Sequence, residues 1–161
     1  MEEIKMIISL KGQLADWKYA RGNTVRFLEQ LSDEDLKRLL PRKTFVTIYD
    51  QIVEMAWVQR CFLKAIETKT LNDMDWAAPD IATKAELLKQ MAQFDEQMEQ
   101  ALEKCDGTEE IYWFDHNKNI NEHVSCMQSH EMMHLGQIIA FCHGLGINIP
   151  EDVRKSMHLT G

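Results

Sequence analysis

His130-Glu131-Met132-Met133-His134-Leu135-Gly136-Gln137 lies within a proline-free segment, about Asn121 to His143, whose apolar residues recur at helical spacing. Residues four apart on a helix sit one turn above each other on the same face. His130 and His134 therefore present two imidazoles side by side, a spacing that lets both reach one metal ion. His123, Met127, His130, His134, Phe141 and Leu145 share one stripe of this helix. The stripe is otherwise apolar, so at least two of its histidines are expected to face inward. A buried imidazole without a partner is costly. Core carbonyls or carboxylates would satisfy the rings one at a time, whereas a metal ion satisfies both together. Gly144 and Gly146, with Pro150 beyond, are the expected end of the helix.

Three further long helices precede it. The first runs roughly from Ile4 to Glu29, with Ile7, Leu14, Trp17, Val25 and Leu28 near helical spacing. Ser32-Asp33-Glu34-Asp35 reads as a cap that opens a short helix, which Pro41 stops. The second long helix spans about Thr44 to Thr68, with a broad apolar stripe through Phe45, Ile48, Ile52, Met55 and Phe62. The polar stretch from Lys69 to Ala82 reads as a long crossing loop. Thr83-Lys84-Ala85-Glu86 is a capping-box pattern that opens the third helix, which Asp106-Gly107 breaks. A polar, aromatic loop is expected from there through Asn119. Each long helix has one apolar stripe and needs partners to bury it. The expected fold class is all-α: a four-helix bundle with long crossing loops, in a single domain over residues 1–161, with sites built from facing side chains inside it.

Composition sets the outer bounds. A chain of 161 residues, 45% of them hydrophobic, is long enough for one sizeable core. Only 3 Pro and 7 Gly interrupt a sequence rich in helix formers. The formal net charge of −8, with no compact basic patch, argues against nucleic-acid binding. The sequence lacks a signal-peptide pattern at Met1-Glu2-Glu3-Ile4-Lys5 and has no membrane-length apolar run, so a cytoplasmic location away from the membrane is expected. Cys61, Cys105, Cys126 and Cys142 are scattered, as befits buried thiols rather than disulfides.

Two imidazoles need a third ligand from another helix. The second helix offers Asp50, Gln51 and Glu54. Glu54 is flanked by Val53, Met55, Ala56 and Trp57, a setting in which a lone carboxylate is disfavoured unless paired or coordinated. Two His and one carboxylate form a workable set for Zn, Fe, Ni or Mn as a divalent ion. His123, about two turns from His130, is the other candidate ligand. Gln137 lies one turn beyond His134, where it would fix a ligand ring, contact substrate or simply pack. Tyr112 and Trp113 are candidates for lining a pocket mouth. His130-Glu131-x-x-His134 is also the bare zinc-protease pattern, with Glu131 as general base. Its longer form wants Gly and His where Gln137 and Ala140 stand, and protease activity is not expected.

At these residues the chain resembles the DinB-like (YfiT-like) family of metal-dependent four-helix-bundle proteins. The likeness rests on His130 through Ile138, then Leu145-Gly146 and Pro150, and covers nearly the whole chain. It extends to Phe27 through Leu36, to Thr47 through Val53 and to Gln59 through Leu63. Leu135 replaces the family's usual basic residue after the second His. The alignment places Glu54 where the family usually has its first metal-binding His. A register one turn earlier would place Gln51 there. The resemblance implies a homodimer, a divalent metal between the second and last long helices, and a pocket at the mouth of the bundle for a small-molecule substrate. Some relatives use bacillithiol, mycothiol or a similar low-molecular-weight thiol to transfer or isomerise small molecules. The rival expectation is a non-catalytic bundle that acts as a binding or interaction module, its metal site degenerate.

Overall fold

A computed structural model describes residues 2–72, 81 and 83–159, with the side chains of residues 2–9 excluded. Four long helices dominate: α1 (Glu2–Gln30), α3 (Ile48–Thr68), α4 (Lys84–Glu103) and α5 (Ile120–Leu145). Short helices α2 (Asp33–Leu36) and α6 (Glu151–Ser156) flank them. Around the bundle, α1 packs on α5, α5 on α3, α3 on α4, and α4 back on α1. The α1-to-α3 and α4-to-α5 connections therefore cross the bundle, and only α3-to-α4 joins neighbours. Most of the expected loop between Lys69 and Ala82 lies outside the described residues.

Local chemistry sets the helix ends. Thr83 and Glu86 cap α4 reciprocally, as their spacing predicts. Asn119 and Glu122 form the same box at the start of α5, and Gly146 closes that helix with a left-handed φ of 66°. The second long helix starts at Ile48, later than the expected Thr44. Phe45 takes a left-handed φ of 47°, which a helix cannot continue through, and Thr47 with Asp50 builds the capping box that opens α3.

Within the helical bundle, the stretch expected as a polar loop before α5 instead carries two strands. β2 (Glu110–Trp113) and β3 (His116–Asn119) form an antiparallel hairpin. β1 (Thr70–Leu71), directly after α3, pairs parallel to β2. This small sheet runs from the end of α3 to the start of α5, so it sits where those two helices converge. Periodicity missed it because the strands are short and, in the hairpin, only Ile111 is buried.

The core is split in two along the bundle. One apolar cluster holds Phe27, Leu28, Ile52, Met91, Leu135 and Ile138, among others. The other holds Trp17, Trp57, Phe62, Met98, Ile120 and Met127. Between them every long helix contributes buried or half-buried polar groups. Arg21 and Thr24 come from α1, Gln51, Glu54 and Gln59 from α3, Asp95 from α4, and His130, Glu131 and His134 from α5. A polar layer in the middle of a bundle is expensive unless its members satisfy one another. It is the natural place to look for chemistry.

Candidate metal centre

One half of the layer brings together Glu54, His130 and His134. The stretch of α3 from Gln51 to Gln59 is buried all round, so Glu54 cannot turn to solvent and is only 7% exposed. Its Oε2 lies 2.8 Å from His134 Nε2, and its Oε1 lies 3.5 Å from His130 Nε2. The two Nε2 atoms are 3.2 Å apart. One donor atom from each residue falls within 4.8 Å of the others, so all three can address a common point.

Glu54 Oε2, despite its short contact, has no aligned hydrogen bond. An orphaned carboxylate oxygen beside two imidazole nitrogens is what a cation site presents. Two nitrogens and one oxygen suit a borderline divalent ion. The donor set therefore fits such an ion. Burial pushes the Glu54 carboxyl up, but the contacts and charges of His130 and His134 outweigh it and bring the pKa down to about 2. The carboxylate is thus ionised, as a ligand must be.

Gln51 is fully buried beneath the set, its Oε1 3.4 Å from His134 Nδ1. An amide oxygen there can accept a hydrogen bond from Nδ1–H, which leaves Nε2 directed to the point the three side chains share. Gln51 thus faces the His134 ring, while Glu54 is the α3 side chain that lies with the two histidines.

The other sequence candidates fall elsewhere. His123 is 1% exposed and lies apart from the three donors. Trp113 Nε1 donates to its Nδ1 at 2.9 Å, and its Nε2 faces the Phe62 carbonyl at 2.9 Å. The neutral ring is fully satisfied by these two partners, so it has no free nitrogen for an ion. Burial holds its pKa down at about 4. An unfolded His titrates near 6.5, so the unfolded chain binds the extra proton between those values, and stability falls as pH drops through that window. The full effect is about 3 kcal/mol. Urea unfolding of His123→Phe should accordingly show a loss between pH 7 and pH 4 that is about 3 kcal/mol smaller than that of the native chain. Parallel curves would mean that the ring is not buried neutral.

Gln137 accepts a hydrogen bond from Arg42 at 3.1 Å. Tyr112 points outward from β2, while its neighbour Trp113 turns in. Trp113 and Phe114, with Val58, Phe62 and Leu71, wall an apolar cavity of about 280 Å³. Glu54 and His130 form its polar corner, and Cys126 adjoins them.

Glu131 sits in the other half of the layer, turned away from His130 by the helical rotation between neighbours. Its Oε2 lies 3.3 Å from Arg21 Nη2, and Thr24 donates to its Oε1. Arg21 Nε also lies 3.4 Å from Asp95 Oδ1. Gln59 accepts from Arg21 and donates to Asp95 at 2.8 Å. A residue tied into this network cannot act as general base on a molecule bound at the histidines, so the protease reading has no geometry behind it. The sequence reading did not single out Arg21, Gln59 or Asp95. The signal was faint: a single polar or charged residue on each of three amphipathic helices looks like an ordinary solvated face.

Among the described residues, no helix is long and apolar enough to cross a membrane. No curated protein matches the chain. A solved structure similar in fold is that of a DinB-like protein, YjoA, from Bacillus subtilis. It is 15% identical, with a TM-score of 0.65, over 86% of this chain and 96% of that one. The model of the DinB superfamily matches residues 16–138. A family match over most of the length, on a helical bundle of the same fold, settles the kinship: the chain belongs to the DinB superfamily.

Proposed function

We propose that Glu54, His130 and His134 hold a divalent metal ion, Zn, Ni, Fe or Mn, and that the chain is a metal-dependent enzyme acting on a small electrophile. The observation that carries this reading is the convergence of three donor residues, two of which, Glu54 and His130, line a cavity. A bound divalent ion supplies Lewis acidity that favours the anionic form of a thiol or water nucleophile. The chain's own residues do the rest. Glu54 remains ionised as a donor, and Gln51 orients His134. The apolar walls keep solvent from the nucleophile and strengthen the electrostatics of the polar corner.

The favoured reaction is transfer or isomerisation that uses a low-molecular-weight thiol as co-substrate. In transfer, the sulfur attacks an electrophilic carbon and the leaving group departs with the electron pair. Hydrolysis at the same site is the close variant. The proposal includes the homodimer that the family resemblance implies.

Two measurements test it in turn. Protein purified without chelator or affinity tag should contain one divalent ion per chain by elemental analysis. Loaded protein should then accelerate the reaction of bacillithiol with a model electrophile. A rate no faster than the uncatalysed one, across several electrophiles, rejects the transferase. A metal-free chain that folds equally well in EDTA favours the non-catalytic interaction bundle.

A further inference from the structure

The cavity beside the donors has a chemistry of its own. Its apolar walls come from three parts of the chain, Val58 and Phe62 of α3, Leu71 of β1, and Trp113 with Phe114 at the end of β2, and α5 closes it with Cys126 and His130. Trp113 is held before any ligand arrives. Its Nε1 is committed to His123, its ring meets Phe62 edge-on at 5.4 Å, and the Lys118 ammonium lies 4.0 Å from its centroid. Phe114 takes a left-handed φ of 48°, strained for a bulky residue, and stands 52% exposed at the rim. A large apolar ring held at such a position completes a wall that the bundle alone lacks.

Among the described residues no Lys or Arg lines this space, and the polar side-chain atoms on its walls belong to Glu54, His130 and Cys126, the last with its Sγ 3.2 Å from Lys118 Nζ. A ligand that fills it finds partners for one polar head at that corner and none along the walls. The volume of about 280 Å³ lies near the lower limit for small-molecule sites, the size for a fragment rather than a sugar-bearing conjugate.

We infer that this cavity is a binding subsite for the apolar group, a phenyl or short branched alkyl, of a small molecule whose single polar head meets the Glu54–His130 corner. A polar thiol co-substrate then approaches from outside the cavity, and the apolar group belongs to the electrophile. The inference rests on the metal reading only for the capture of the head.

Acetohydroxamate and benzohydroxamate share one metal-binding head and differ in the apolar tail. They should be titrated into the zinc-loaded full-length chain after its zinc content has been measured. Benzohydroxamate should bind about tenfold tighter or more, the return expected for burying a phenyl ring, and should perturb a tryptophan emission that Trp113→Phe removes. Phe114→Gly relieves the left-handed backbone and deletes the rim, so it should fold normally and lose most of that preference. Equal affinities with zinc in place, or an unchanged preference in Phe114→Gly, would overturn the subsite. If zinc does not bind at all, the metal reading fails separately. Toluene added to the metal-free chain then decides the subsite: a shift in Trp113 emission supports it, and no shift removes it.

Discussion

Arg21→Met should cost about 3–5 kcal/mol of folding stability at pH 7, the range for removing one partner of a buried ionic cluster. Arg21 is the cation that Asp95 and Glu131 face inside the bundle, and the three come from α1, α4 and α5. Met keeps most of the side-chain volume and removes the charge, which leaves the buried Glu131 carboxylate and the half-buried Asp95 carboxylate without their cation. A chain of this size has only about 5–15 kcal/mol in total, so the variant should unfold at much lower urea. The pH dependence gives a signature that a packing defect would lack. Burial already raises the Asp95 carboxyl, with Arg21 and Gln59 holding it down and the Glu131 charge adding to the rise. Without Arg21 the restraint weakens, so the folded variant binds protons more strongly than the unfolded chain. Its stability then falls as pH rises through the raised folded value. The gap from the native chain should widen as pH rises above the ordinary carboxylate range, as read from urea curves followed by circular dichroism. Replacing Arg21, Asp95 and Glu131 together by apolar residues should recover most of the loss. A pH-independent gap would mean that the cluster is not electrostatic in origin.

This network marks the boundary of what the sequence discloses. The bundle itself was legible because its signals are local: apolar stripes at helical spacing, a capping box at Thr83, and glycine at the close of α5. The His130–His134 pair was legible for the same reason, since a four-residue spacing on a helix is already a geometry. Glu54 was legible through its neighbours, because a carboxylate flanked by four apolar residues has few ways to be exposed. The hairpin was not. Its strands are mostly exposed, and β2 pairs not only with β3 beside it but also with Thr70 and Leu71 about forty residues earlier, a contact that no local window contains. Arg21 and Asp95 were hidden more deeply. Their burial depends on how four helices are rotated against one another, and that rotation is a property of the packed bundle. Glu131 was seen but misplaced by its motif. Only the fold shows that it faces Arg21 on the side of α5 away from the histidine pair.

His134→Ala should lower affinity for a divalent ion by more than about 100-fold, because losing even an outer-shell partner costs about 10- to 100-fold. His134 supplies the donor nearest Glu54, at 2.8 Å, and its ring alone in the set has a supporting amide, Gln51. Gln51→Leu leaves all three donors in place and frees the ring to rotate, so it should show the smaller loss, about 10- to 100-fold. Glu131→Gln occupies the neighbouring position in sequence but the opposite polar cluster. It should leave metal stoichiometry unchanged while lowering stability, because the charge facing Arg21 is gone. His123→Phe should also keep the ion, since that imidazole is already committed to Trp113 and Phe62. Competition with a chromophoric chelator ranks the four variants, and the order matters more than any single value. Losses at His134 and Gln51 with none at Glu131 or His123 would tie the ion to the geometry between α3 and α5. If Glu131→Gln emptied the site as thoroughly as His134→Ala, the two polar clusters would be acting as one unit. The separation drawn between a metal centre and a structural ion network would then be wrong. The two clusters share a single turn of α5, so this outcome is a demanding check. The structure holds them apart only by the rotation of about 100° between neighbouring helical residues.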